Sequence, residues 1–320
     1  MDMSLIINKD EIIRLLPGID IVSVIAEGFI NYSAGNVTVP PVGELLFDDP
    51  RGEMHIKYGY IRGDDYFVIK IASGFYENPK IGLSSSQGLM LVMNAHTGIT
   101  EAVLLDEGYL TNIRTAAAGA CVAKVLAPSV VKAIGVFGTG IQARLQLEMA
   151  LPFLRSNRIL VYDPKQENFE DYIRYFKNNS LEISFASPDE ISKSCNYIIM
   201  ATPSQSPLIN ADDIMPGTHI TAVGSDTPDK QELDSAILKK ADIVVADSIE
   251  QCQTRGEIFH ALKEGLIKMT QLSELGRILG GEQKGRSNDR QITIADLTGV
   301  AVQDIQIAKA VFNQYNKETK

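Results

Sequence analysis

Three observations predict an α/β protein, with a Rossmann-type doubly wound parallel sheet joined to a second, α+β domain. From Val131 onward, apolar runs of strand length recur about every 15–25 residues with helix-length segments between them, the rhythm of βαβ units in a buried parallel sheet. One of these runs, Ala133–Phe137, passes into Gly138-Thr139-Gly140-Ile141-Gln142-Ala143, a G-x-G-x-x-A turn that opens a helix. The first third instead carries short runs separated by turn residues, which reads as antiparallel sheet with a helix packed on it. A chain of 320 residues has room for two cores, and the expected division is 1–127 with 300–320 for the α+β domain and 128–299 for the Rossmann domain.

Taken in order, Asn8 or Asp10 can cap a short helix that ends at Pro17, and Ile21, Ile25 and Phe29 recur at helical spacing before Gly35. Strands are expected at Glu44–Phe47, Met54–Ile61, Tyr66–Ala72 and Gly88–Asn94, punctuated by Asp48-Asp49-Pro50, Arg62-Gly63-Asp64 and Thr97-Gly98. Thr111 is the expected N-cap of a helix of small residues that Pro128 closes. The parallel strands are expected at Ala133–Phe137, Ile159–Tyr162, Ile183–Phe185, Tyr197–Ala201, His219–Val223 and Ile243–Ala246. After a glycine-rich, charged stretch come Gln291–Ala295 and a last helix striped by Ala301, Ile305, Ala308, Phe312 and Tyr315, which is expected to return to the first domain.

Composition narrows the partners. With 45% hydrophobic and 22% charged residues the chain is ordinary for a globular protein. Its 30 Lys and Arg against 40 Asp and Glu leave a formal charge of −10, so nucleic acid and anionic membranes are not expected partners. An anionic ligand must be held locally, by a helix N-terminus or a few placed cations. Cys121, Cys195 and Cys252 are scattered and form no disulfide or zinc pattern, which suits a reducing compartment. No apolar run approaches the ~20 residues of a membrane span, and the N-terminal stretch has no signal-peptide core. A cytoplasmic protein is expected, with no metal, since the four histidines show no ligand spacing.

The chemistry is concentrated in a few places. In the G-x-G-x-x-A turn, Gly138 makes the tight bend, Gly140 lets a pyrophosphate approach the backbone, and a small third residue lets helix and strand pack closely. The next strand ends in Asp163, 23 residues past Gly140, the position of an acid that bonds a ribose and repels a 2′-phosphate. That favours NAD; Lys165 close by leaves NADP open. Lys70 interrupts the apolar strand Tyr66–Ala72, and a two-residue hairpin loop at Gly63-Asp64, with Gly first, pairs Arg62 with Asp65. In that register every pair sums to 127, so Lys57 and Lys70 stand directly opposite on one face. Arg114 is expected in the first turn of the Thr111-capped helix, where a cation opposes the helix dipole. Asp226, in the turn after His219–Val223, and Thr202-Pro203 both lie at the carboxyl end of the parallel sheet, where doubly wound folds bind ligands.

The ordered set GTGIQA, the strand lysine, DEGYLTNIRTAAAGA, ATPSQSPL, AVGSD and DLTGVAVQD resembles the ornithine cyclodeaminase/mu-crystallin family over nearly the whole chain. That resemblance implies a homodimer, a dimerisation role for the α+β domain, and an NAD-dependent redox step at the Cα–N bond of a small amino or imino acid. Two alternatives follow from the same family: a cyclodeaminase that recycles its NAD, and a non-catalytic, crystallin-like binding protein. It implies further that Lys70 and Arg114 hold the substrate carboxylate, and that Asp226, with Lys70, is catalytic, Asp226 as acid/base beside the nicotinamide. Ser85, Arg114, Thr115, Ile141, Gln142, Asp163, Thr202, Val223, Gly224, Ser225, Asp226, Lys230 and Leu297 are implied to line the cofactor, with Gly138 and Gly140. The chain departs from the family at Pro40-Pro41-Val42-Gly43, which lacks the usual arginine, and Lys57 is the expected replacement cation.

Overall fold

The computed structural model describes residues 5–319, which divide into two compact units, one that runs to Arg114 and resumes at Ala301, and the other Thr115–Val300. The first division falls inside a helix, earlier in the chain than the expected position at 127/128, and the last helix rejoins the first unit.

In the first unit β1 (Leu5–Asn8) leads directly into α1 (Lys9–Leu15). Asn8 is the cap, its side chain accepting the Glu11 N–H at 3.0 Å. Next come α2 (Ile21–Ser33), β2 (Val37–Thr38), β3 (Gly43–Phe47), β4 (Gly52–Ile61), β5 (Tyr66–Phe75), β6 (Ser86–Asn94), β7 (Thr100–Leu105) and α3 (Tyr109–Leu126). The strands form one seven-stranded sheet in the order β1-β7-β6-β5-β4-β2, with β3 also on β4, antiparallel except for the β1–β7 pair. β1, β2 and β7 carry no signal that sequence reasoning used. One face of the sheet, with Ile7, Ala102, Leu104, Met90, Val92 and Val68 buried, packs under the C-terminal helix Ala301–Thr319, which in turn packs on α2. Gly59 is required there, because a Cβ would stand 2.4 Å from the Thr38 carbonyl oxygen and 3.4 Å from Ile305.

Two local expectations are corrected. The β4–β5 register pairs Lys57 with Lys70 and Gly52 with Phe75, as the sum rule requires, but the loop is not a two-residue turn. The Asp64 N–H bonds the Ile61 carbonyl at 3.1 Å, so the turn closes around Arg62 and Gly63. The Arg62 N–H goes to the Asn36 carbonyl at 2.8 Å instead of pairing with Asp65, and Gly63 takes the left-handed second place at φ +86°. Thr111 does not cap α3, which begins two residues earlier. The carboxylate of Asp106 accepts the Leu110 N–H at 2.8 Å, after a turn in which Glu107 and Gly108 both have positive φ. Arg114 therefore sits in the second turn, beyond the end of the dipole.

The second unit alternates β8 (Ile134–Phe137), α4 (Ile141–Leu154), β9 (Arg158–Tyr162), α5 (Phe169–Tyr175), β10 (Glu182–Phe185), α6 (Pro188–Ser194), β11 (Tyr197–Met200) and β12 (His219–Ala222). It continues with α7 (Ala236–Lys240), β13 (Ile243–Ala246), α8 (Glu257–Lys263), β14 (Leu272–Glu274), α9 (Leu275–Leu279) and β15 (Thr293–Asp296). All eight strands are parallel, in the order β10-β9-β8-β11-β12-β15-β13-β14. β14, only three residues long, was not foreseen. The chain reverses its direction of travel across the sheet between β8 and β11, and the crevice for a ligand in such a fold lies at that point. Two apolar clusters, one around Val136, Leu147 and Tyr172 and the other around Phe137, Ile198 and Ile237, make up its core.

Candidate active site

On the helix-covered face of the first unit's sheet, Lys70 is only 3% exposed, and Lys57 opposite it is half-buried. Lys70 Nζ lies 3.1 Å from Asp304 Oδ2. Arg114, equally buried, donates from Nε to Asp304 Oδ1 at 3.0 Å and from Nη1 to Gln303 Oε1 at 2.8 Å. Burial works to raise the Asp304 pKa, yet Arg114, Lys70 and Lys57 together outweigh it and hold the group below its usual value. Burial lowers the Lys70 pKa, and Asp304 opposes that shift. Asp106, which caps α3, is the second buried acid of the cluster; burial raises its pKa, and its Oδ1 has no hydrogen-bond partner.

The two opposed lysines are thus not left to repel one another, because an anion from the C-terminal helix stands among the cations. Asp304 and Gln303, within DLTGVAVQD, and Asp106, within DEGYLTNIRTAAAGA, are given no role by sequence reasoning. A signal for Asp304 existed: it lies three residues after Ala301 and four before Ala308, an acid on an otherwise apolar helical stripe.

In the second unit a pocket of about 600 Å³ opens at the switch point, lined by Gly138, Thr139, Gly140, Asp163, Thr202 and Arg144 among others. Gly138 has φ +97° and packs so tightly on the Ala201 carbonyl that a Cβ would lie 2.7 Å from it, while a Cβ on Gly140 would meet nothing within 4 Å. Gly140 is the N-cap of α4 and brings no side chain to that helix end. This is the shape that a pyrophosphate needs. Asp163 accepts the Thr139 hydroxyl at 2.6 Å and the Lys165 N–H at 2.8 Å. Arg144, which sequence reasoning passed over, donates to the Thr139 carbonyl at 3.1 Å, so two cations, Arg144 and Lys165, stand in the same pocket wall as Asp163.

The remaining residues distribute as follows. Ile141 is exposed at the start of α4, and Gln142 is half-buried beside it. Thr115, in the part of α3 that belongs to this unit, accepts Gln146 Nε2 on its carbonyl at 2.9 Å. Val223 N–H bonds the Met200 carbonyl and Leu297 N–H the Ala222 carbonyl, both at 2.9 Å, which continues the sheet past its strand ends. Ser225 is buried and donates to the Lys230 carbonyl at 2.6 Å. Asp226 is exposed and pairs with Lys230 Nζ at 2.6 Å. Ser85 and Arg114 belong to the first unit, where the Ser85 carbonyl accepts the Phe75 N–H at 2.8 Å.

The sequence profile of the ornithine cyclodeaminase/mu-crystallin family matches residues 5–319. The chain belongs to that family. Within it, the chain is 40% identical over 318 residues to an uncharacterized cyclodeaminase of Sinorhizobium fredii, covering 97% of this chain and 95% of the relative. Among solved structures it is similar to an archaeal alanine dehydrogenase dimer with bound NAD, at TM-score 0.91 and 32% identity, covering 99% and 97% of the two chains. It is also similar to the iminosuccinate reductase of Paracoccus denitrificans in complex with NAD+, at TM-score 0.92 and 29% identity, covering 99% and 97%. These family members share the α/β architecture with its Rossmann-type sheet. Among the described residues no helix is long and apolar enough to cross a membrane, and no cluster of metal-ligating side chains is found.

Proposed function

We propose that the protein is an NAD-dependent enzyme that reduces an imino acid, or oxidises the corresponding amino acid, at the Cα–N bond. The observation that carries this reading is the buried cluster of Lys70 and Arg114 in the first unit, which would hold a small carboxylate, in a chain whose second unit has a pocket at the glycine turn that would take a dinucleotide. Gly138, Gly140, Thr202 and the start of α4 would hold the cofactor's phosphates and Asp163 its ribose. When bound, the nicotinamide supplies or takes the hydride. Lys70, Lys57 and Arg114 hold the substrate carboxylate and so fix which bond is presented. Asp226 takes a proton from the substrate ammonium in oxidation, because only a neutral amine has a lone pair to push, and returns a proton to nitrogen in reduction. Asp163 favours NAD over NADP, while Arg144 and Lys165 make the second cofactor the comparison to run.

The outward face of the first unit's sheet is apolar, with Ile6, Tyr58, Tyr60 and Leu105 each exposed by two-fifths or more and Phe67, Ile69, Ile71 and Leu91 half-exposed between them. Such a face asks for a partner, and a second copy is the occupant we favour, as in the alanine dehydrogenase dimer. Light scattering at micromolar concentration tests this. Three buried free thiols fit a cytoplasmic enzyme.

A cyclodeaminase is the second reading, favoured by the Sinorhizobium relative. One screen separates them: amino acids with NAD, and keto acids plus ammonia with NADH, followed by both absorbance and ammonia. Net NADH change supports the redox enzyme, ammonia release without it the cyclodeaminase, and neither signal a silent binding protein.

A further inference from the structure

Among the acids buried at the carboxyl end of the parallel sheet are Asp296, which opens the DLTGVAVQD stretch, Glu257 and Glu232, each 1% exposed or less. They are linked through backbone amides. Asp296, at the end of β15, accepts the Ile258 N–H at 2.8 Å and so holds the start of α8. Glu257, the first residue of α8, accepts the N–H of Glu232 at 2.7 Å and of Leu233 at 3.2 Å. Glu232 then accepts with Oε1 from both the N–H and the hydroxyl of Thr202, each at 2.7 Å, and with Oε2 from the Gly224 N–H at 3.0 Å. The space around that last bond is full, since a Cβ on Gly224 would lie 2.1 Å from the Thr202 carbonyl oxygen and 2.4 Å from Glu232 Oε2.

A buried carboxylate is tolerated only where donors converge on it. All three donors to Glu232 come from two loops, one following β11 and one following β12, and the second of these carries Asp226 two residues further on. An apolar side chain would fill the volume but leave two N–H groups and one hydroxyl proton without acceptors. The two loops also meet further out, through the Gln231 N–H to the Ser204 carbonyl and the Leu208 N–H to the Glu232 carbonyl, both at 2.8 Å, and the carboxylate is the tie that joins Thr202 to Gly224.

We propose that Glu232 is a positioning residue of the nucleotide site, tying the Thr202 loop to the Gly224–Asp226 loop so that both present one fixed surface to the cofactor. This rests on the reading of the second unit as the NAD(H)-binding unit. Glu232→Gln is the sharpest probe. Its amide accepts on one side only, so its NH2 must face either the Thr202 or the Gly224 N–H, donor against donor.

The dissociation constant for NADH, read by fluorescence on the full chain, is expected to rise about tenfold in Glu232→Gln and further in Glu232→Ala. Hydrogen–deuterium exchange is expected to quicken in the peptides holding Thr202 and Gly224 together. Ile191→Ala, a core truncation in α6, should lower the melting temperature while leaving NADH affinity unchanged. Thr202→Val removes the hydroxyl's bond to Glu232 and the one it accepts from the Ser204 N–H, both on one loop, and should still quicken exchange at Gly224 on the other, which keeps the test alive if Glu232 variants do not fold. NADH affinity in Glu232→Gln within about twofold of wild type, a loss no greater than in Ile191→Ala, or unchanged Gly224 exchange in Thr202→Val overturns the proposal. A wild-type chain that does not bind NADH at all overturns instead the reading of the site on which it rests.

Discussion

In the first unit a buried carboxylate, Asp304, is met by cations, with Lys70 at 3.1 Å and Arg114 at 3.0 Å; in the second, Glu232, Glu257 and Asp296 are met mainly by backbone N–H groups. Asp304 and the three acids of the second unit are displaced in opposite directions. Asp304 is held below its usual value because three positive charges outweigh its desolvation. Burial raises Glu232 to about 7 and Asp296 to about 8, and burial likewise raises Glu257, because hydrogen-bond donors recover only part of the lost hydration and, at Asp296 and Glu257, neighbouring acids add repulsion. Opposite charge can thus make a buried acid stay ionised, whereas amide donors position it without securing its charge. The first arrangement suits a site that must hold an anion, and the second suits a scaffold.

The comparison breaks first at Asp304. Asp304→Ala leaves Lys70 and Arg114 buried without their anion, and a loss of about 3–5 kcal/mol in urea unfolding is expected, as for other broken buried pairs. A variant as stable as wild type would mean that the cluster is wet and the charges unpaired.

On the other unit, Asp226→Asn is expected to keep NADH binding and to lose turnover by about 10²–10⁴-fold, since an amide cannot accept the ammonium proton. Steady-state rates on the substrate found by the screen check it, and a rate within a few-fold of wild type removes Asp226 from the acid/base role.

The opposed lysines sharpen the contrast further. Lys57→Met should raise the apparent substrate constant about tenfold, the loss expected for a bond to a charged group, with stability little changed. Lys70→Met should do the same and also destabilise the chain, because Asp304 loses one of its two close partners. Equal melting temperatures for the two variants would contradict the ion pair.

The smallest effect is a pH dependence with two limbs. The folded-state values of Glu232 and Asp296 stand above the usual carboxylate range, so between that range and about pH 7–8 the native state holds more protons than the unfolded one, and stability falls as pH rises through this window. Asp304 has the opposite sign: its contribution is present above the usual carboxylate range and is lost as pH falls through its lowered value. Urea midpoints across pH 4–9 are expected to peak on the mildly acidic side, and Glu232→Gln should flatten the alkaline limb only.

What could be read from the sequence was what local pattern encodes. The Lys57–Lys70 register was legible because a short hairpin fixes every pair once its loop is found, and it survives a one-residue error in the turn because that loop's four residues still lie symmetrically between the strands. The βαβ rhythm and the glycine turn were legible for the same reason. The cap of α3 was misread because two acceptors compete within a few residues, and Asp106 wins through a turn of two positive-φ residues that composition does not announce. The charge partners were out of reach: Arg114 and Asp304 are 190 positions apart, and Glu232 meets Thr202 across 30. Pairing at such distance is decided by topology, and no window along the chain contains both ends.

The return of the last helix to the first unit also sets an order of birth. A ribosome delivers all seven strands of the first sheet, then the whole of the second unit, before Asp304 emerges, 190 residues after Arg114. At about 5–20 residues per second that interval lasts roughly 10–40 s. During it the contiguous second unit can finish its own contacts, while the first holds two cations whose counter-ion has not yet been synthesised. A chain cut short before Asp304 would therefore carry a complete nucleotide unit beside an uncompensated sheet, and surveillance proteases would meet it as unfinished however well its larger part had folded.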